Sequence, residues 1–363
     1  MKKLSLLLLL AALVSCQKDK TTVEDEGVDG VIRPLTCSTA AIENQLKQTL
    51  TNATTDADFT LLVERSDGRQ YTFSRGTSSV SSLYESASTS KLVSSVIILR
   101  LVDQGYLNLT DKPQKYISSW PIVSTDSLYN INLAQLLSFT SGLETEPLCL
   151  NAGSFDFENC VRNIATTNSG NGVVPGSKFY YSSTHMQVAG LMAIKAKGVS
   201  SWQDIFNSFK SETGLFSTGS YDLPSSANPR LAGGMHWRAS EYLAFLRALK
   251  NETLLSANLQ SQLLMDQTAA VAFGNSPAVN ALGEMWHYGF GLWHECQNST
   301  YNCTPGVRVS SPGSYGAYPF WDRQKKYIGI LARQGALETF KNGALLERTV
   351  RSSLDEWATC QNE

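Results

Sequence analysis

The sequence lacks any early apolar run long enough to cross a bilayer. Leu4 to Val14 falls well short of the ~20 residues that a helical span needs. It also lacks an excess of one charge: 30 Lys and Arg stand against 32 Asp and Glu, giving a net charge of -2 and a pI of about 6.1. Without a basic excess, nucleic acid and anionic membrane surfaces are excluded as expected partners. A small molecule or a short peptide is the expected partner. Histidine is scarce, with four copies, and none has a Cys/His ligand spacing, so no metal is expected. No internal repeat or linker divides the chain. With 42% hydrophobic and 17% charged residues, it has an ordinary globular balance and enough length for one large domain or two fused lobes.

What is present begins with an export signature. Met1-Lys2-Lys3 is a basic start, Leu4 to Val14 a short apolar stretch, and Leu13-Val14-Ser15-Cys16 a small-residue cleavage site closed by cysteine. This pattern resembles a bacterial lipobox. It implies a lipoprotein signal peptide over 1–15, lipidation at Cys16 and a flexible tether over 16–35, with the folded domain from 36 to 363. The expected location is periplasmic, outer-membrane or cell-surface, with membrane contact through the lipid anchor only. Setting Cys16 aside leaves six of the 7 cysteines. They fall as Cys37 and Cys360 at the ends, Cys149 with Cys160, and Cys296 with Cys303. Six cysteines allow 15 connectivities. Short-loop pairing with an end-to-end clasp is the simplest, and an oxidising compartment favours disulfides over free thiols.

Ile42, Leu46 and Leu50 recur every fourth residue behind Ser38 or Thr39, which predicts an amphipathic helix. Phe59 to Val63 and Gln70 to Ser74 read as strands around the hairpin signal Asp67-Gly68. Leu92 to Leu101 reads as a buried helix ending near Gly105. Helical patterns fill Leu107 to Leu282. Val307 to Gly335 reads as two strands joined by 322–325, and Leu346, Val350, Leu354 and Trp357 share a terminal helix face. Strands at both ends and helices between them predict an α+β architecture with one antiparallel sheet.

Ser88-Thr89-Ser90-Lys91 is an S-x-x-K motif. On a helix, positions i and i+3 share a face, so the lysine reaches the serine hydroxyl. A serine is a poor nucleophile until a base takes its proton, and a lysine in an apolar pocket has a lowered pKa suited to that task. Ser15-Cys16-Gln17-Lys18 also matches, inside the leader region; after it, the Ser88 match stands alone.

Tyr84 to Lys91, the run Leu99 to Asp111, and Leu133 to Leu143 with its Leu136-Leu137-Ser138-Phe139-Thr140-Ser141-Gly142-Leu143 resemble the serine β-lactamase-related family. That family includes class C β-lactamases, D-alanyl-D-alanine carboxypeptidases and esterases. Phe139 stands where the family usually has histidine. Pro175-Gly176-Ser177-Lys178-Phe179-Tyr180-Tyr181-Ser182-Ser183 resembles its Y-x-N segment, with Ser183 in place of the asparagine. Ser311-Pro312-Gly313-Ser314 takes the place of the K-T-G or H-x-G motif, with no cation at Ser311.

The resemblance implies a β-lactamase/transpeptidase-like fold, a sheet flanked by helices with a mostly helical lobe, and no cofactor. It assigns Ser88 as nucleophile, Lys91 as its partner, and Tyr181 as a phenolate base and then acid. The backbone N–H groups of Ser88 and Ser314 become the oxyanion hole, and Ser183, Ser311 and Gly313 meet substrate. The implied reaction is ester or amide hydrolysis through an acyl-enzyme, esterase-like or D-alanyl peptidase-like. A true β-lactamase, and a pseudoenzyme kept as a surface binding lipoprotein, are the alternatives. The missing cation at Ser311 favours uncharged esters. Arg308 and Lys178 are the first substitutes to examine for a cation in the cleft. Ala232-Gly233-Gly234 is expected near the cleft, and His236, His287 and His294 are expected to be surface or satisfied core residues.

Overall fold

The computed structural model describes residues 37–360. The expected signal peptide, the expected lipidation site Cys16 and the expected tether lie outside the described residues.

The amphipathic helix forms at Thr39–Asn52, where the Ser38 hydroxyl accepts from the Ala41 amide as an N-cap. Its buried Ile42, Leu46 and Leu50 face the C-terminal helix Phe340–Thr359, which buries Leu346, Val350, Leu354 and Trp357. Strands Phe59–Arg65 and Gln70–Arg75 pair antiparallel across the Asp67-Gly68 turn. The first of them also pairs with Tyr327–Arg333, matching Phe59 to Arg333 and Arg65 to Tyr327. Pairing continues through Tyr318–Asp322, Arg308–Ser310, Trp293–His294 and His287–Tyr288, giving an antiparallel seven-stranded sheet. Every residue of the central strands Phe59–Arg65 and Tyr327–Arg333 is buried. Helices therefore cover both faces: Ala239–Lys250 packs on these two strands, and the terminal helices also lie against the sheet. This is an α+β, β-lactamase/transpeptidase-like fold.

Two sequence expectations need correction. Val307 to Gly335 holds three strands, not two, because the Ser311 to Gly316 turn separates Arg308–Ser310 from Tyr318–Asp322. Two small sheets also form beside the large one. One joins Leu83–Glu85, Met235–Arg238 and Ser220–Tyr221; the other is the parallel pair Lys178–Tyr180 and Ala272–Asn275. Their strands are too short to carry a readable alternation.

Cys37 bonds Cys360, Cys149 bonds Cys160, and Cys296 bonds Cys303. The first closes a separation of 323 residues, worth about 4 kcal/mol or more in the chain-entropy view. Arg65 reinforces it by donating to the carbonyl oxygens of Trp357 and Cys360 at 3.2 and 2.6 Å.

Candidate active site

Ser88 sits in a single turn, Ala87–Thr89, that runs directly into the helix Ser90–Asp103. That helix buries eleven residues on all sides, from Ser90 to Leu101, so Ser88 rides on a rigid rod. The turn is tightly held. The Ser86 amide donates to the Met235 carbonyl at 2.8 Å, and Ser86 Oγ accepts from the Met235 amide at 3.1 Å. Trp237 Nε1 donates to Thr89 Oγ1 at 2.8 Å, and the Tyr242 hydroxyl donates to the Thr89 carbonyl at 2.8 Å. Ala87 has φ +40°, a left-handed value that costs a residue with a Cβ of order 1–3 kcal/mol and is kept where surroundings over-determine it.

Lys91 is one turn further on. Its Nζ donates to Ser88 Oγ at 2.8 Å and to the Ala232 carbonyl at 2.9 Å. The Ala232-Gly233 loop thus steers the lysine onto the serine. Burial pushes Lys91 down to about 7; the nearby Glu146 charge works against that shift and Arg230 adds to it. At neutral pH a large share of this side chain is a free amine, able to accept a proton.

Tyr181 completes the group. Lys91 Nζ lies 4.6 Å from its ring centre, and Tyr181 lines the same cleft as Ser88 and Trp293. Its backbone is pinned by Asn275, whose carbonyl accepts from the Tyr181 amide at 3.0 Å and whose Nδ2 donates to the Tyr181 carbonyl at 2.8 Å. Its ring rests on Trp293 at 5.1 Å and Phe139 at 5.5 Å. Phe139, the unexpected replacement for histidine, stacks in turn on buried His185 at 4.8 Å. His185 Nε2 is placed to donate to the Tyr180 carbonyl at 2.9 Å while Nδ1 accepts from Ser141 at 2.7 Å; burial drives its pKa down to about 3, so it is neutral. The phenolate expected for Tyr181 is corrected: burial raises its pKa above the usual tyrosine range. The resting residue is a neutral phenol, and the group with a pKa near neutrality is Lys91.

Ser88, Lys91 and Tyr181 line a cleft of about 880 Å³, together with Gly313 and Ser314 of the opposite turn. Among the described residues, the Ser314 amide has no acceptor. Ser183 also lines the cleft, and its amide donates to Glu146 Oε1. Ser311 does not line it: its hydroxyl donates to the Gly291 carbonyl at 3.3 Å and the residue is 3% exposed. The expectation that Ser311 meets substrate is therefore corrected, because this side chain turns into the protein as the strand enters its tight turn.

Neither substitute cation reaches the cleft wall. Arg308 is buried beside Glu347 at 2.5 Å and Asp322 at 3.4 Å, and Lys178 pairs with Glu144 at 2.6 Å. The cleft does contain a second cation besides Lys91, and it is Arg230. His236 and His287 bond Asp222 and Asp266, each at 2.7 Å, and His294 Nδ1 accepts from the Gly306 amide at 3.0 Å. All three are satisfied away from the cleft wall. Trp293 lines the cleft, whereas the nearby aromatic residues Trp286, Phe320 and Trp321 do not. Among the described residues, no group of His, Cys, Asp and Glu is arranged to hold a metal.

No curated protein matches the chain. A solved structure from Bacteroides dorei DSM 17855, described as a candidate β-lactamase, is similar at 20% identity with a TM-score of 0.71, covering 87% of this chain and 99% of that one. EstCE1, a hydrolase with promiscuous acyltransferase activity, is similar at 17% identity and TM-score 0.67, over 86% and 98% of the two chains. A β-lactamase/D-alanine carboxypeptidase from Yersinia pestis, complexed with citrate, reaches 17% and 0.66, over 88% and 99%. These likenesses are in fold. The β-lactamase family model matches residues 61–344, a span running from the first strand of the large sheet into the C-terminal helix, and the chain therefore belongs to the β-lactamase family of serine hydrolases.

Proposed function

We propose that the protein hydrolyses an ester or amide through an acyl-enzyme on Ser88. The observation that carries this reading is the 2.8 Å contact between Lys91 Nζ and Ser88 Oγ, with the lysine held near pKa 7 by burial. As Ser88 Oγ forms its bond to the substrate carbonyl carbon, its proton passes to the free amine of Lys91. The charge that develops on the carbonyl oxygen is met by the Ser88 and Ser314 amides, the latter unpaired among the described residues. When the tetrahedral species collapses, the bond to the leaving group breaks. The neutral Tyr181 hydroxyl, in the same cleft as Ser88 and Lys91, then relays a proton from Lys91 to the departing oxygen or nitrogen. Water attacks the acyl-enzyme by the same steps in reverse, and the acid is released.

A fluorophosphonate probe and a labelled penicillin test the reading. Wild type is expected to label on Ser88 and Ser88→Ala to lose both label and turnover with little change in thermal midpoint. An unlabelled wild type that still binds ligand would point to a pseudoenzyme, and rapid turnover of the penicillin to a true β-lactamase. The reading extends to an exported lipoprotein anchored through Cys16: Cys16→Ala is expected to move the protein from the membrane fraction to the soluble one.

A further inference from the structure

We infer that the cleft selects an acyl donor carrying two opposite charges, an anionic group met by Arg230 and a cationic group met by Glu146; the inference rests on the Ser88 hydrolase reading. The substrate class is then an amino-acid or short-peptide derivative with a free carboxylate and a free ammonium group.

Two cations line the cleft. Lys91 is engaged with Ser88 and Ala232. Arg230 is not engaged with a charge. One nitrogen of its guanidinium donates to the side-chain oxygen of Asn151, and among the described residues no carboxylate pairs with it. Four of its five donors remain for a ligand. The guanidinium lies against Gly233, where a Cβ would come within 3.1 Å of it. A larger residue at 233 would push it out of the cleft.

Glu146 is the matching anion. Its Oε1 accepts from the Ser183 amide, and among the described residues its Oε2 has no hydrogen-bond partner. Glu144, two residues earlier, is already neutralised by Lys178 at 2.6 Å. Lys91 feels both unmatched charges, Glu146 raising its pKa and Arg230 lowering it. Glu338 also lines the cleft, on the side of Leu337 and Phe340.

Opposite charges facing one cleft would be expected to collapse onto each other, and here they do not. Both Glu146 and Asn151, which anchors Arg230, belong to one segment. The Cys149–Cys160 disulfide fixes that segment, and buried Asn228 holds it by donating to the Cys149 carbonyl at 2.8 Å. The two charges are therefore fixed in advance of a ligand. A ligand that covers them without matching them strips water from two ions, whereas one carrying the complementary charges replaces that water.

The test is a matched set of 4-nitrophenyl esters with acyl chains of one length: uncharged, carboxylate-bearing, ammonium-bearing, and bearing both. For each enzyme, kcat/KM is read as a ratio to its own uncharged ester, at pH 8.5, so a general loss of activity cancels. Wild type is expected to prefer the doubly charged ester at least tenfold. Arg230→Gln should lower the carboxylate ratio, and Glu146→Gln the ammonium ratio, each by roughly tenfold to a hundredfold, the scale of one charged hydrogen bond. Ratios near one in the wild type, or ratios untouched by either substitution, would overturn the inference while leaving the hydrolase reading intact. Calorimetry on Ser88→Ala with a doubly charged amide and its neutral isostere gives an arm without turnover. Preferential binding there alongside an inert wild type would sink the hydrolase reading and leave the charge selection standing. Strongly non-additive thermal shifts in the double variant would show that the two charges neutralise each other, and would also overturn the inference.

Discussion

Lys91 Nζ stands 2.8 Å from Ser88 Oγ and 2.9 Å from the Ala232 carbonyl, so one amine joins Ser88 to the loop that carries Arg230. Its burial sets the pH at which the site can work. Acylation needs the free amine, and Lys91 titrates at about 7. On an uncharged aryl ester, kcat/KM is expected to rise with pH through about 7 and level off above it. Lys91→Ala should lose at least about three orders of magnitude, because groups acting as a unit are not additive. A profile flat from pH 5 to 9 in the wild type would remove Lys91 as the base.

The same burial has a consequence for stability. The unfolded chain holds Lys91 at its ordinary value of 10.5, and the folded chain holds it at about 7. Between those values the unfolded state binds more protons, so the lysine's cost to the fold is full below about pH 7 and fades as pH rises towards 10.5. The cost is ~5 kcal/mol at most, from ~1.4 kcal/mol per unit. Lys91→Met removes it, but leaves the Ala232 carbonyl without its donor at every pH. The difference between variant and wild type should thus be several kcal/mol more favourable to the variant at pH 6 than at pH 10. Urea unfolding at the two pH values measures it, and equal differences would contradict the burial argument.

Ser88 and Lys91 were legible because one helical turn brings an S-x-x-K pair together without help from distant chain. The terminal helices and the Phe59–Arg65 hairpin were legible for the same local reason. Arg230, Glu146 and Asn275 were not. Each reaches the site on a short strand or loop whose place is set by contacts far away in sequence, such as Asn275 on Tyr181 or Asn228 on Cys149. Ser311 was misread because a motif position does not say which way a side chain points. Its hydroxyl finds Gly291 instead of the cleft. The ester preference inferred from its missing cation loses its basis once Arg230 is seen in the cleft wall.

Arg308, once a substitute for that missing cation, holds the sheet to the last helix instead. Glu347 is fully buried and bonded by Arg308 and by Arg351, each at 2.5 Å, while Arg351 also reaches Glu295 at 2.9 Å. Removing one member leaves buried charges unmatched, which costs about 3–5 kcal/mol. Glu347→Ala is expected to lower stability by that amount in chemical unfolding. Glu347→Gln, which keeps the shape and some hydrogen bonding, should cost less. A loss below about 1 kcal/mol for the alanine variant would mean that water reaches this network.

Gly313 faces the nucleophile turn from the other side of the cleft. A Cβ placed there would sit 2.6 Å from the Ser86 carbonyl oxygen and 3.1 Å from Thr89 Cγ2. The Ser86 oxygen cannot step aside, since Ser86 is tied to Met235 through both its amide and its hydroxyl. The opposite turn must retreat instead. It moves as a unit, because the Gly313 amide donates to Ala317 at 2.8 Å and the Gly316 amide to Gly313 at 2.9 Å. The Ser314 amide travels with it, away from the place where the substrate oxygen gathers charge. Gly313→Ala should therefore lower kcat by about a hundredfold or more, the scale of one lost oxyanion donor, with a smaller change in KM and ~1–3 kcal/mol of lost stability from overpacking. Ser314→Ala is the control. It keeps the amide and removes only the hydroxyl that accepts from the Glu338 amide at 2.9 Å, so its kcat should stay within a few-fold of wild type. Single-turnover acylation of an aryl ester by the two variants separates the amide from the side chain. A Gly313→Ala enzyme that acylates at the wild-type rate would place the oxyanion hole elsewhere.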